Sequence, residues 1–114
     1  MINPEVRIAR TESLFRDVNE WIAESAERFD SDRAEFVCEC ADQACTERVE
    51  ATLDEYERVR ATGTRFLLRP GHEDTRVERI VDTRGSRLAI VEKVNHVVAA
   101  TVRRLDPRAQ PASP

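Results

Sequence analysis

Glycine is scarce in this chain. Three residues in 114 leave no glycine-rich phosphate-binding loop. Histidine occurs twice, and neither copy belongs to a His-Glu-x-x-His pair; no Gly-x-Ser-x-Gly elbow is present either. Each absence lowers the expectation of an enzyme. Aromatics make up only 5%, so the core must rest on Val, Ile, Leu and Ala, with four Phe and one Trp. No apolar stretch approaches the ~20 residues of a membrane span, so no membrane partner is expected. Basic charge is not in excess. Charged residues reach 35%, yet the net charge is -4 and the signs are interleaved. A nucleic-acid-binding chain normally shows a basic patch or stripe, so nucleic acid is not the expected partner. The N-terminus has no basic region followed by an apolar run, which points to a cytoplasmic protein.

Cysteine is also scarce, and odd in number. Three thiols cannot make a closed disulfide framework. All three lie in Phe36-Val37-Cys38-Glu39-Cys40-Ala41-Asp42-Gln43-Ala44-Cys45, and His72 follows in Arg69-Pro70-Gly71-His72-Glu73. The pattern is Cys-x-Cys-x4-Cys, then 26 intervening residues, then His. Three thiolates and one imidazole form a complete ligand set for a tetrahedral zinc ion. Residues i and i+2 of a strand share a face, so Cys38 and Cys40 can converge while Glu39 turns away. The fourth donor must come from an element folded back over the loop, and a His after a Pro-Gly turn can supply it. Should His72 not serve, the next donors are Glu73, Asp42 and His96. Two other readings stay open at this point. The thiols could be inert buried side chains, or a redox set in which Cys45 closes a disulfide with Cys38 or Cys40.

The rest of the chain reads as one α+β domain over 1–106, followed by a disordered tail over 107–114 rich in Pro, Ala and Ser. Asn3-Pro4 is a helix start. Ile8, Thr11, Phe15, Val18, Ile22, Ser25 and Phe29 recur at steps of three and four, widened by Leu14 and Trp21. That predicts an amphipathic helix over 4–29 whose apolar stripe lies on the body. At ~1.5 Å per residue the helix is nearly 40 Å long, so part of it can overhang and pack on a partner, most simply a second copy as a homodimer.

A metal-clasped β/α body follows over 33–105. Strands are predicted at 34–38 and 48–52, an antiparallel pair with the thiols at its tip. Thr52-Leu53-Asp54-Glu55 is a capping box opening a short helix over 53–61, with Gly63 as its C′ residue. Further strands are predicted at 64–69, 77–82 and 87–92, the last two as a hairpin through Gly85, with a helical turn as the alternative at 77–82 because its alternation is imperfect. Leu88-Ala89-Ile90-Val91 is continuously apolar, so its strand is central. Val94, Val97, Val98, Thr101, Val102 and Leu105 predict a last helix over 95–105.

The segments Phe36-Val37-Cys38-Glu39-Cys40-Ala41-Asp42, Cys45-Thr46-Glu47, Pro70-Gly71-His72-Glu73-Asp74 and Val91-Glu92-Lys93 resemble a family of small bacterial proteins. The first helix, with Leu14-Phe15-Arg16-Asp17-Val18-Asn19-Glu20, is similar too. No activity is associated with that family, so the resemblance transfers no functional residue. Thr75 stands where the family carries Pro after His-Glu-Asp.

The expected function is a non-enzymatic, zinc-stabilised interaction or regulatory module, with Cys38, Cys40, Cys45 and His72 as structural ligands. Alternatives are a thiol-based redox sensor and a small zinc hydrolase using Glu39 or Glu73 as general base.

Overall fold

The computed structural model describes residues 3–109. In chain order the elements are α1 (Pro4–Arg28), β1 (Arg33–Val37), β2 (Arg48–Thr52), α2 (Leu53–Arg60), β3 (Arg65–Leu68), β4 (Glu78–Arg84), β5 (Leu88–Lys93) and α3 (His96–Leu105). This is the α+β architecture expected, with a long N-terminal helix, small antiparallel sheets, a middle helix and a C-terminal helix.

The caps are the ones the residues favour. The Asn3 side chain accepts from the Glu5 N–H at 2.7 Å, with Pro4 in the first turn. At α2 the capping box is complete: Thr52 Oγ1 accepts from Glu55 N, and Glu55 Oε1 accepts from Thr52 N. Asn95 caps α3 by accepting from Val97 N and Val98 N. Gly63 is different from expectation. Only Gly71 and Gly85 among the glycines have positive φ, so Gly63 is no left-handed cap. A Cβ on Gly63 would sit 3.2 Å from an Asp106 oxygen, so close approach explains this glycine.

The strands form two sheets. β1 and β2 pair antiparallel, with Phe36 opposite Val49. β3, β5 and β4 form a second antiparallel sheet in that order, with the apolar β5 in the centre. The imperfect alternation of β4 has a structural cause: a bulge between Ile80 and Asp82 shifts its register against β5. The core gathers Phe36, Val49, Tyr56, Val59, Phe66, Leu67, Leu68, Leu88 and Val91, joined by Val98 and Val102 of α3. Phe36 and Tyr56 stack with centroids 4.5 Å apart.

The orientation of α1 departs from the sequence expectation. Its buried residues are Ala9, Glu12, Ser13, Arg16 and Asn19. Ile8, Phe15 and Ile22 are half-buried at one edge. Leu14 is 62% exposed, Trp21 66% and Phe29 79%, and Val18 is exposed as well. The helix therefore turns a polar face inward and much of its apolar stripe outward. It is held along its length, from Glu5 beside Asn95 to Glu20 beside Tyr56 and Arg60. What it leaves free is chiefly a face and not an overhanging end. Beyond α3, Arg108 pairs with Glu20 and Glu57, which anchors the first part of the segment expected to be disordered. Its last residues, 110–114, lie outside the described residues.

Candidate metal centre

The knuckle begins where β1 ends. Cys38 and Cys40 leave the strand, Cys45 sits before β2, and His72 follows β3 through the Pro70-Gly71 turn. Gly71 has φ 93, a conformation that L side chains rarely adopt, and His72 N donates back to Arg69 O at 3.1 Å. The loop is shaped by Asp42, whose Oδ1 accepts from Ala44 N and whose carbonyl accepts from Cys45 N, both at 2.9 Å.

Docking on β3 fixes the knuckle in space. Glu39 N donates to Leu67 O at 2.8 Å, and Leu67 N donates to Glu39 Oε1 at 2.9 Å. Arg69 N donates to Cys38 Sγ at 3.2 Å. β3 is an edge strand of its sheet, so these bonds occupy backbone groups that would otherwise be unpaired. They also link the two sheets at the point where the thiols meet His72.

Cys38, Cys40, Cys45 and His72 converge, with one ligand atom from each and all within 4.8 Å of one another. The His72 Nδ1 atom lies 3.6 Å from Cys38 Sγ and 3.6 Å from Cys45 Sγ. A tetrahedral zinc shell, with bonds of about 2.3 Å to sulfur and 2.0 Å to nitrogen, puts S and N about 3.5 Å apart and two sulfurs about 3.8 Å apart. The donor set is therefore positioned to hold a metal ion. Cys38 and Cys40 are buried, while Cys45 and His72 are half-exposed. The three thiols hold their protons unequally. A hydrogen bond from the Cys38 thiol, together with His72, holds Cys40 down at about 5 despite its burial. That bond to Cys40 and burial push Cys38 up, and burial pushes Cys45 up.

The other donors considered from sequence are not part of this cluster. Asp42 is engaged with Ala44, Glu73 accepts from Gly71 N at 3.0 Å, and His96 opens α3. Glu39, between the first two thiols, is not part of the cluster either. Its carboxylate is fully buried, bonded to Leu67 N and, at 2.8 Å, to Asn19 Nδ2. A general base needs a free oxygen aimed at water, so the place of Glu39 is structural.

Sequence reading missed the polar floor beneath α1. Asn19 also donates to Val37 O at 2.9 Å and accepts from Val37 N at 2.8 Å, tying α1 to β1 beside the knuckle. The Arg16 guanidinium lies 3.5 Å from the Phe66 ring centroid and donates to Gly63 O at 2.8 Å and to Arg65 O. Arg60 bridges Glu20 and Asp106. Lys93, opposite Glu78 in the β4–β5 ladder, contacts Glu78 and lies 2.6 Å from a Glu12 oxygen, a charge contact without aligned hydrogen-bond geometry. Burial pushes the Glu12 carboxyl up to about 8 against the pull of Lys93. Glu12, Arg16, Asn19 and Ala23 lie at steps of four, three and four on one helix face, but that spacing alone does not say which face turns inward.

No family model, curated protein or solved structure matches the chain. Among the described residues, no helix is long and apolar enough to cross a membrane.

Proposed function

We propose that Cys38, Cys40, Cys45 and His72 hold a structural zinc ion, and that the protein is a non-enzymatic, zinc-stabilised interaction or regulatory module. The convergence of four good zinc donors at S–N distances of 3.6 Å carries this reading. Thiolate and imidazole suit a borderline-soft ion, and four protein ligands leave no position for a reactive water. Bound there, zinc would clasp the β1–β2 hairpin tip to the turn after β3, and its binding energy would become folding energy. A reducing, cytoplasmic setting fits the three free thiols. We place the chain's kinship with the bacterial family in the same proposal; the knuckle and His72 segments carry it. The interaction surface is the outer face of α1, where Leu14, Val18 and Trp21 are exposed.

One observation favours a thiol-sensor variant of this reading: Cys45 is half-exposed while the other two thiols are buried. Peroxide titration separates the two. A structural site keeps its ion at low oxidant, whereas a sensor releases it and forms a disulfide. The main reading is tested by metal content of wild-type protein and of His72→Ala. Equal zinc in both, with new hydrolytic activity in neither, would remove His72 from the ligand set.

A further inference from the structure

We propose that α1 pairs with α1 of a second copy in antiparallel register, making the protein a two-fold symmetric dimer. This rests on the interaction-module reading and names its partner. The first observation is the inverted helix: the side away from the body carries Leu14, Val18 and Trp21, exposed at 62%, 39% and 66%. Thr11, Leu14, Val18, Trp21 and Ser25 are spaced 3-4-3-4, the seam of a two-helix coiled coil. Two such seams laid antiparallel bring Leu14 against Val18 of the other copy and Thr11 against Trp21.

Charge selects the register. Arg10, Asp17 and Glu24 form a heptad-spaced row along one side of the seam, and all three are exposed. Neither Arg10 nor Glu24 has an ion-pair partner among the described residues. In an antiparallel pair this row meets its own copy, so Arg10 faces Glu24 twice, once at each end. Asp17 then faces Asp17 at the two-fold axis, a like-charge contact that weakens the pair. In a parallel pair the same row would lie against Ile8, Phe15 and Ile22, which offer no charge at all. Opposite charges opposed across a seam set partner orientation.

Sedimentation velocity of the full zinc-loaded chain, over a concentration series, tests this. Wild type is expected to dimerise, and Val18→Glu is expected to be monomeric with unchanged zinc content and circular dichroism. Arg10→Glu and Glu24→Arg should each weaken self-association roughly tenfold or more. Mixed in equal amounts, these two variants should recover a dimer, because every end contact becomes Glu against Arg. Asp17→Asn should tighten the pair. A wild-type chain monomeric at the highest soluble concentration, with full zinc, overturns the inference and leaves the metal reading intact. A dimer whose two charge variants do not cross-associate overturns the antiparallel register.

Discussion

Two parts of the molecule join elements far apart in the chain. At the knuckle, four donors from two segments converge on one point that a metal can fill. Under α1, Glu12, Arg16 and Asn19 reach Lys93, Glu78, Phe66, Val37 and Glu39 with nothing but protein atoms. On the proposed reading the first junction would depend on an ion whose ligands must lose their protons. The second holds charges out of water, where each is tolerable only while its partner stays in place. With a metal bound, the first would be switchable by a chelator and the second only by mutation or pH. Asn19 and Glu39 connect the two, since their hydrogen bond at 2.8 Å runs from α1 into the knuckle.

Separating the junctions experimentally should show this contrast. The largest effect is expected from Cys40→Ser or from a strong chelator. Structural zinc contributes on the order of 10 kcal/mol in zinc-finger peptides, comparable to the whole stability of a domain of this size. Urea denaturation with and without chelator measures the loss, and hydrogen exchange should show the 38–47 loop opening before β4 and β5. An equal midpoint in both conditions would make the clasp irrelevant to stability.

Next comes Lys93→Met, which leaves Glu78 buried without its cation, beside a protonated Glu12. Breaking a buried pair typically costs about 3–5 kcal/mol. Zinc content should be unchanged, and adding Glu78→Gln should recover part of the loss. A cost below that of an exposed pair, about 1 kcal/mol, would show that water reaches the site.

The third contrast is in pH. Folded Glu12 holds its proton up to about 8, whereas the unfolded chain gives it up near 4.5. The folded state therefore binds more protons across that window. The stability this group contributes is full below about 4.5 and is lost as pH rises through about 8. The clasp runs the other way, because its thiolates form as pH rises. Urea midpoints of wild type and Glu12→Gln across this window isolate the Glu12 slope. Parallel curves would show that Glu12 does not titrate there.

The smallest effect should come from Glu39→Gln. The amide oxygen can still accept from Leu67 N, but the amide nitrogen then meets Asn19 Nδ2, donor against donor, at a cost of about 1–3 kcal/mol. Zinc content should not change. Loss of metal in this variant would bring Glu39 into the site and reopen the hydrolase reading.

The knuckle was legible because its residue types are rare and closely spaced. Three cysteines and a histidine after Pro70-Gly71 have few other uses in so short a chain. The caps at Asn3, Thr52 and Asn95 were legible for a similar reason, since local chemistry decides them. The inward face of α1 was not. Periodicity assigns Leu14, Val18 and Trp21 to the core because apolar stripes normally face inward. Here Arg16 and Glu12 take that place, and what makes them tolerable is distant in sequence: Phe66, Gly63, Lys93 and Asp106. Tertiary partners at separations of 47 to 90 residues cannot be read from a helical window. Gly63 shows the same limit. Its local context suggests a helix cap, yet its role is set by Asp106.

Whether the clasp holds a metal is decided by its stoichiometry. Native mass spectrometry of purified protein, with thiol titration before and after chelation, should find one zinc per chain and thiols that react only once the ion is removed. A metal-free chain with three freely reacting thiols, unchanged after refolding with zinc, would contradict it.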